Sequence, residues 1–306
     1  MTELPVEFQQ RIRLVFKDRG AEWLVRLPAL LREYEERWRL RIGEPFELSY
    51  HYVAPATTAD GAEVVLKAGV PSPDFSHQVE ALLLYAGRGM VRVLDADADA
   101  GVMLMERLDP GTTIVDMPDD DATAIAAGVM RDLQLPAPAD CGLPALADWA
   151  SALDRVRGHY GGGTGPIPER LYEMAQAYWR EMLASAAAPI VLHGDLHHWN
   201  ILHDERRGYV ATDPHGVLGE PEYEVAAFLG NPNTRLHLFD DLAATMCRRL
   251  DIFAASLGYD RQRMLRWGIA FQVLSAWWSY EDGGNGERAL IAATALDAIN
   301  PDSRWH

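Results

Sequence analysis

Several features are scarce in this sequence of 306 residues, and each scarcity excludes a class of protein. No apolar run approaches the roughly 18 residues that a membrane-spanning helix needs, so we expect no membrane partner. The opening residues, MTELPVEFQQ, lack a basic region followed by an apolar run, so we expect no secretory signal. The two cysteines, Cys141 and Cys247, lack the spacing of metal or redox motifs and favour free thiols in the cytoplasm.

Basic residues are outnumbered, with 28 lysines and arginines against 45 aspartates and glutamates and a net charge of −17 at pH 7. Nucleic acids and anionic membrane surfaces bind basic patches, so the charge argues against both as partners. The same charge permits a cationic small-molecule substrate. An acidic surface that only keeps the protein soluble is the simpler explanation when charge is considered alone.

Lysine is the scarce cation, because only Lys17 and Lys67 occur among the 28 basic residues. Lys67 ends the run AEVVLK, whose apolar and β-branched residues predict a buried strand. A lysine in a chain that otherwise uses arginine indicates that a compact ammonium on a flexible stem is needed at this position. The alternative is a strand end whose lysine merely reaches toward solvent.

The order of predicted elements divides the chain into two parts. Residues 1–107 combine N-terminal helices, strand-like runs and a helix that Ser72 caps and Pro73 begins. The run VRVLDADADAGVMLMERL then predicts a β-hairpin. Residues 108–306 are mostly helical and include an aromatic core helix over 266–280. The sequence therefore predicts an α+β fold, with a small β-rich N-terminal lobe and a larger helical C-terminal lobe.

The stretch VLHGDLHHWNIL, residues 191–202, places histidines, an aspartate and an asparagine between two apolar dipeptides. The runs ILHD and YVATD that follow predict a β-hairpin. If Asp204 pairs with Tyr209, Asn200 lies opposite Asp213, because residue numbers across an antiparallel pair have a constant sum. An amide oxygen beside a carboxylate suits Mg²⁺, which keeps further coordination positions for phosphate and water.

This arrangement matches the phosphoryl-transfer groups of kinases. Asp195 occupies the position of the loop aspartate that accepts the proton of the substrate hydroxyl. Asn200, five residues later, and Asp213 occupy the positions of the Mg²⁺ ligands. Lys67 and Glu80 match the strand lysine and the helix glutamate that pairs with it. For Glu80, a plain surface position is the alternative.

A zinc site is the competing interpretation, because His193 and His197 are four residues apart. In the HExxH motif this spacing works on a helix, with a glutamate directly after the first histidine. Gly194 and Asp195 follow His193 here, and no third ligand fits the pattern. We therefore expect His193 to brace the loop through hydrogen bonds.

HGDLHHWNIL followed by TDPHGVLGEPEYEVAAFLGNP resembles the aminoglycoside phosphotransferases, in particular the streptomycin 6-phosphotransferase or aminoglycoside/hydroxyurea resistance kinase type. EVVLKAG, EALLLYAGRGMVRVLDADADAGVMLMERLDPG and WSYEDG fit as well, so the resemblance extends from about residue 45 onward. It implies a protein-kinase-like bilobal fold, ATP and Mg²⁺ as cofactors, and antibiotic resistance through phosphorylation of a hydroxyl on an aminoglycoside such as streptomycin. We expect a cytoplasmic monomer that acts on this cationic small molecule.

Carried over position by position, the resemblance makes Asp195 the catalytic base, Asn200 and Asp213 the metal ligands, and Lys67 with Glu80 the pair at the nucleotide phosphates. It places the adenine on the backbone of Met105, Glu106, Arg107 and Leu108. The candidates for holding a cationic substrate are carboxylates that accompany the active-site half: Glu220, Glu222, Glu224, Glu281 and Asp282.

The sequence also departs from this family. No glycine-rich phosphate loop is visible, since YVAPATTADGAE contains only Gly61. His215 stands where the close streptomycin kinases have lysine, Glu224 where they have aspartate, and Trp199 where they have a small residue. Two alternatives therefore stay open: a kinase of another amino-sugar or cyclitol, and a nucleotide-binding pseudokinase. The complete set of catalytic side chains argues against the pseudokinase.

Overall fold

The computed structural model describes residues 4–302, which begin with a long helix and a five-stranded antiparallel sheet. The elements are α1 (Val6–Arg37), β1 (Leu40–Ile42), β2 (Tyr52–Thr58), β3 (Glu63–Ala68), α2 (Pro73–Tyr85), β4 (Val93–Asp97) and β5 (Val102–Glu106). The strand order is β1-β2-β3-β5-β4, so β3 lies at the centre of the sheet. The predicted buried strand that carries Lys67 is therefore confirmed.

The helix α1 covers one face of this sheet. It is broken at Lys17, where φ is 53°. Leu27 of α1 and Leu66 of β3 belong to one apolar core between helix and sheet. Because side chains alternate along a strand, Lys67 and its cross-strand neighbour Val53 point to the opposite face. That face is the one on which the candidate site lies.

The second part of the chain is mainly helical. Its strands are β6 (Pro110–Thr113), β7 (Leu135–Pro136), β8 (Ile190–Leu192), β9 (Ile201–Asp204), β10 (Gly208–Ala211) and β11 (Val217–Gly219). Its helices are α3 (Asp119–Asp132), α4 (Leu146–Ala150), α5 (Asp154–His159), α6 (Glu169–Ala184), α7 (Val225–Leu229), α8 (Leu242–Leu257), α9 (Arg261–Glu281) and α10 (Glu287–Ala298). The strands form two small sheets of order β10-β9-β6 and β11-β8-β7.

Helix α9 is the centre of the larger core. Trp267 and Trp277 on this helix are almost completely buried, and α6, α7 and α10 pack around it. The predicted core helix over 266–280 is thus confirmed, with bounds extended at both ends. A buried ion pair and a hydrogen bond supplement this packing. The fully buried guanidinium of Arg249 pairs with Asp119 and donates to the carbonyl of Asn231 at 2.6 Å. Helix α8 is thereby fixed to α3 and to the segment after α7.

Local sequence signals explain how α2 begins. The Ser72 hydroxyl accepts a hydrogen bond from the backbone N–H of Phe75 at 3.2 Å, and Pro73 is the first helical residue, as predicted. The predicted hairpin forms as β4 and β5. The α+β architecture, with a β-rich first part and a helical second part, is confirmed. Within residues 4–302, no helix combines the length and the apolar character that crossing a bilayer demands.

Candidate active site

An ion pair between Lys67 and Asp213 joins the first sheet to the helical part of the chain. Lys67 lies in the central strand β3, where it pairs across to Val53 on β2 and to Met103 on β5. Its side chain is 4% exposed, and its ammonium contacts Asp213 Oδ1. Burial raises the pKa of Asp213, but the charge and hydrogen bond of Lys67, together with His51 and His215, outweigh burial, so the pKa lies well below the ordinary value. Asp213 is therefore a carboxylate at neutral pH.

The hairpin that carries Asn200 is shifted by one residue from the predicted register. Asp204 pairs with Gly208 rather than with Tyr209, so Asn200 is adjacent to Thr212, whose N–H donates to the Asn200 carbonyl at 2.9 Å. The shift arises because the Asp204 carboxylate accepts two backbone N–H groups of the turn, at 3.1 and 2.9 Å, which closes a three-residue loop. The prediction that Asn200 lies directly opposite Asp213 is therefore wrong.

Backbone conformation gives Asp213 its direction. Asp213 comes one residue after the position opposite Asn200, and its φ of 62° lies in the left-handed region. Few residues other than glycine adopt this conformation, although aspartate tolerates it better than most. This backbone conformation directs the Asp213 carboxylate to Lys67. Asp213 itself remains only one residue beyond the end of the hairpin.

Asp195 lies between two histidines. Its carboxylate Oδ2 is 3.4 Å from His197 Nε2 and 3.9 Å from His215 Nε2, and its side chain is 31% exposed. Burial raises the pKa of Asp195, but His197 and His215 together outweigh it and hold the pKa below the ordinary value. Conversely, burial lowers the pKa of the His197 imidazole, but the charge and hydrogen bond of Asp195, together with the charge of Asp213, outweigh burial and raise that pKa. Asp195 is thus an accessible carboxylate that stays ionised.

The backbone around Asp195 is fixed by buried hydrogen bonds. Glu224 accepts the N–H groups of His193 at 2.7 Å and Gly194 at 3.1 Å. The His193 ring receives the N–H of Asp195 on Nδ1 at 3.2 Å and donates from Nε2 to the Thr212 carbonyl at 2.9 Å. Burial lowers the pKa of His193 to about 4, so this ring is neutral. The expectation that His193 braces the loop is confirmed.

The other two histidines of the loop pack differently. His198 stacks on Phe228 with ring centroids 4.0 Å apart, and burial lowers its pKa. Trp199 places its ring edge-on to His197 at 5.7 Å, with an interplanar angle of 89°. The unusual Trp199 therefore supports the imidazole that neighbours Asp195.

The donor set of the loop fits a hard divalent cation better than zinc. Among residues 4–302, no three histidine, cysteine, aspartate or glutamate side chains come together as metal ligands. Asn200 donates from Nδ2 to the Asp195 carbonyl at 2.9 Å, which turns its amide oxygen away from that bond. Within the described chain, neither Asn200 Oδ1 nor Asp213 Oδ2 accepts a hydrogen bond. Amide and carboxylate oxygens in this number suit Mg²⁺, whose remaining positions are filled by phosphate and water.

The predicted pair between Lys67 and Glu80 is not formed. Glu80 instead accepts the N–H of Gly142 at 2.7 Å and lies 3.7 Å from Cys141 Sγ. Residues two positions apart on a helix point about 200° apart, so the face of α2 toward the site carries Gln78 instead. Gln78 Nε2 donates to Asp213 Oδ1 at 2.6 Å and to the Pro214 carbonyl at 2.9 Å. Sequence reasoning missed Gln78, because a neutral amide carries no kinase signature.

His51 is a second residue that the sequence reasoning missed. YVAPATTADGAE forms β2 and its turn, whereas residues 43–51 connect β1 to β2. His51 lies two residues before Val53, on the face that carries Lys67. A Cβ at Gly69 would lie 2.5 Å from His51 Cδ2, so the glycine leaves room for the ring. Burial and the charge of Lys67 lower the pKa of His51 to about 3, so the ring is neutral.

The predicted adenine-binding segment lies at the end of β5. Met105 and Leu108 are buried, and Arg107 lies 3.6 Å from Glu63. The Glu106 side chain pairs with Arg207 and accepts the N–H of Arg92 at 2.9 Å. Because β5 ends at Glu106, the backbone of the next two residues leaves the sheet.

Most of the predicted substrate carboxylates have internal partners. Buried Glu220 pairs with Arg263 at 2.7 Å through Oε2 and also accepts the Trp267 indole N–H. Glu224 accepts the backbone N–H groups described above. Glu281 forms a two-pronged pair with Arg155 at 2.9 and 2.8 Å. Of the remaining two, Glu222 is partly buried, and Asp282 is exposed after the end of α9.

Aromatic rings pack beside His215, whose imidazole is close to Asp195. Trp149 contacts His215 at 5.9 Å and Trp278 at 5.4 Å between ring centroids. A Cβ at Gly194 would lie 2.8 Å from Trp149 Cη2, so this ring packs directly on the loop. We call Trp149, His215 and Trp278 the aromatic wall. No pattern in the sequence joined these three residues, because they come from separate segments.

The sequence matches the family described as aminoglycoside/hydroxyurea antibiotic resistance kinase over residues 37–283. It is 31% identical over 295 residues to a streptomycin 6-kinase from Streptomyces glaucescens, with 92% of each chain covered. It is also 31% identical over 297 residues to a hydroxyurea phosphotransferase from Kitasatospora aureofaciens, covering 90% of this chain and 81% of that protein.

The fold is similar to that of a thermostable mutant of aminoglycoside phosphotransferase APH(4)-Ia, solved as a ternary complex with ADP and hygromycin B. The TM-score is 0.62 at 17% sequence identity, covering 90% of this chain and 98% of the other. This similarity confirms the predicted protein-kinase-like bilobal fold.

Proposed function

Because the chain belongs to the family of aminoglycoside/hydroxyurea antibiotic resistance kinases, we propose that it transfers the γ-phosphoryl group of ATP to a hydroxyl of streptomycin. The membership itself confirms the resemblance seen in the sequence. The single observation that carries the proposal is the ion pair of Lys67 with Asp213, which brings the strand lysine to the loop that holds Asp195 and Asn200. These are the groups that phosphoryl transfer needs in one place.

Asp195 is the proposed catalytic base. Its ionised, partly exposed carboxylate orients the acceptor hydroxyl and takes its proton as the new oxygen–phosphorus bond forms. The bond between the γ-phosphorus and the bridging oxygen breaks, and ADP leaves with that oxygen. His197 supports this role, because its imidazole favours the charged form of Asp195.

The phosphates are the proposed ligand of the Lys67 ammonium. Asn200 Oδ1 and Asp213 would hold Mg²⁺, which when bound supplies positive charge against the phosphate oxygens. The adenine would contact the backbone after Met105, where β5 ends and the side chains of Met105 and Leu108 are already buried. Preorganised charge and positioning then provide most of the acceleration.

The acceptor would enter along the aromatic wall. Aromatic faces attract cations, and the net charge of −17 favours a cationic ligand over an anionic one. Of the five predicted carboxylates, Asp282 and Glu222 remain as candidates, because within the described chain Glu220 and Glu281 form ion pairs and Glu224 accepts two backbone N–H groups. Because Glu220, Glu224 and Glu281 have internal partners, we do not place them in the acceptor site.

The setting of the enzyme is part of the same proposal. We place the two lobes at residues 1–107 and 108–306, and we expect a monomer with no nucleic-acid partner. A cytoplasmic location would supply ATP and keep Cys141 and Cys247 as the free thiols seen in the structure.

The proposal is tested by ADP release in the presence of streptomycin. Asp195→Ala should lower kcat by about 10²–10⁴ without a comparable loss of ATP affinity. Asp240→Ala, at an exposed aspartate outside the site, is the matched control and should keep wild-type turnover. Equal turnover in wild type and Asp195→Ala would refute the assignment.

Hydroxyurea is the second candidate acceptor, because its phosphotransferase is as similar in sequence as the streptomycin kinase. A panel of streptomycin, other aminoglycosides, amino-sugars, cyclitols and hydroxyurea, read by the mass gain of one phosphate, separates these acceptors. Magnesium-dependent ATP binding without transfer to any member would instead indicate a pseudokinase.

A further inference from the structure

Gln78 is the side chain of α2 that reaches the Lys67–Asp213 pair. It is 5% exposed and donates both amide hydrogens, one to Asp213 Oδ1 at 2.6 Å and one to the Pro214 carbonyl at 2.9 Å. Lys67 contacts the same Oδ1. The second oxygen, Oδ2, accepts no hydrogen bond within the part of the chain described. The two donors therefore occupy one edge of the carboxylate and leave the other edge free.

We infer that Gln78 is a positioning residue that holds Asp213 Oδ1 so that Oδ2 is presented to Mg²⁺; the inference rests on the proposed kinase function. The left-handed φ of 62° at Asp213 is a costly backbone state that needs surrounding contacts to maintain it. Gln78 supplies two such contacts, because it binds both the side chain of Asp213 and the carbonyl of the next residue.

The amide is chemically matched to this position. Both atoms that face Nε2 are acceptors, so an NH₂ group with two donors satisfies them, whereas a carboxylate would repel both. In kinases generally, the corresponding helix supplies a glutamate that pairs with the strand lysine. Here Lys67 pairs with Asp213, and the helix supplies a neutral donor instead.

The other end of the amide indicates that stability alone does not explain Gln78. Its Oε1 is buried and has no hydrogen-bond partner in the described chain. An unsatisfied buried acceptor costs stability, and an apolar side chain of similar size would avoid that cost. The role of Gln78 therefore lies in the two hydrogen bonds that Nε2 makes to the Asp213 turn.

The test is the magnesium dependence of ADP binding, measured by titration calorimetry with Mg²⁺ and with EDTA. Gln78→Met keeps the size but removes the donors, and Gln78→Glu replaces them with acceptors. Both should reduce the gain in ADP affinity on adding Mg²⁺ by about tenfold or more, which is the usual effect of losing a group that orients a metal ligand. ADP affinity in EDTA should stay within about twofold of wild type.

Glu80→Gln is the matched control, because it changes the same helix on the face that contacts Gly142. It should keep the wild-type gain in affinity. Comparable thermal unfolding of the variants would show that each is folded. A wild-type magnesium gain in either Gln78 variant would overturn the positioning role. A wild-type protein that binds ADP equally with and without Mg²⁺ would instead refute the metal site of the proposed function.

Discussion

Glu224 shows how one buried carboxylate can set the geometry of a catalytic loop and also affect stability. It accepts backbone N–H groups of His193 and Gly194, two residues and one residue before Asp195. Burial raises its pKa to about 7, against an ordinary value of 4.5, and the nearby Asp195 charge acts in the same direction. The folded protein therefore holds this proton more tightly than the unfolded chain does.

The sign of the pH effect follows directly. A raised carboxyl pKa stabilises the fold fully below the unfolded pKa, and that stabilisation is lost as pH rises through the folded pKa of about 7. Between about pH 5.5 and pH 8, the group should therefore remove roughly 2 kcal/mol from the free energy of unfolding. Glu224→Gln cannot titrate, so the variant should lack this component.

The measurement is urea unfolding of wild type and Glu224→Gln at both pH values. We compare the free energies of unfolding of the two proteins at each pH. Titration of His51, His193, His197 and His198 contributes to both values and therefore cancels in their difference. We also expect the variant to be less stable overall, by about 1–3 kcal/mol, because the amide replaces one of the two acceptor oxygens with a donor. Identical pH dependence in the two proteins would mean that Glu224 is ionised throughout.

At the scale of single elements, two glycines provide a matched pair. Gly128 lies inside α3 with ordinary helical backbone, and Gly258 caps the end of α8 with a φ of 72°. A Cβ at either position would have no atom within 4 Å, so only backbone conformation distinguishes them. Gly128→Ala should stabilise the protein by about 0.5–1 kcal/mol, and Gly258→Ala should destabilise it by about 1–2 kcal/mol.

Urea unfolding of the two single variants and the double variant checks this prediction. The sites are on different helices, and an added Cβ at either one would touch no other atom, so their effects should add. Destabilisation by Gly128→Ala would show that α3 needs the absence of a side chain for packing, contrary to the open space around it.

The elements also show where sequence reasoning succeeds and where it stops. The start of α2 was predictable, since Ser72 and Pro73 act on their own turn of helix. Which face of α2 is turned toward the site was not predictable. Amphipathic spacing shows which residues share a face of the helix, but not which part of the protein that face contacts. Glu80 was therefore predicted where Gln78 is found. The hairpin register failed by one residue, because a side chain–backbone bond of Asp204 decided the loop length.

At the scale of the whole molecule, structure formed by residues close in the sequence could be predicted better than contacts between residues far apart in the sequence. The kinase-like fold was implied by the resemblance to a known family, which short motifs along the chain carry. The partners of the predicted substrate carboxylates could not be predicted from the sequence. Glu220 pairs with Arg263, 43 residues away, and Glu281 pairs with Arg155, 126 residues away. Ion pairs over such distances are properties of the packed helices. Among carboxylates chosen by position in the sequence alone, only the folded structure distinguishes internal partners from substrate ligands.

The net charge of −17 acts on both substrates at once and leads to opposite salt effects. A cationic acceptor such as streptomycin should be attracted over long range, whereas anionic ATP should be repelled. Raising the ionic strength from about 0.01 M to 0.15 M shortens the screening length from about 30 Å to about 8 Å and weakens both effects. The kcat/KM for the acceptor should therefore fall several-fold while the kcat/KM for ATP stays level or rises. Steady-state kinetics with each substrate varied in turn measures both slopes. Parallel slopes would show that salt acts on the enzyme generally, and that the acidic surface serves solubility rather than recruitment of the cationic acceptor.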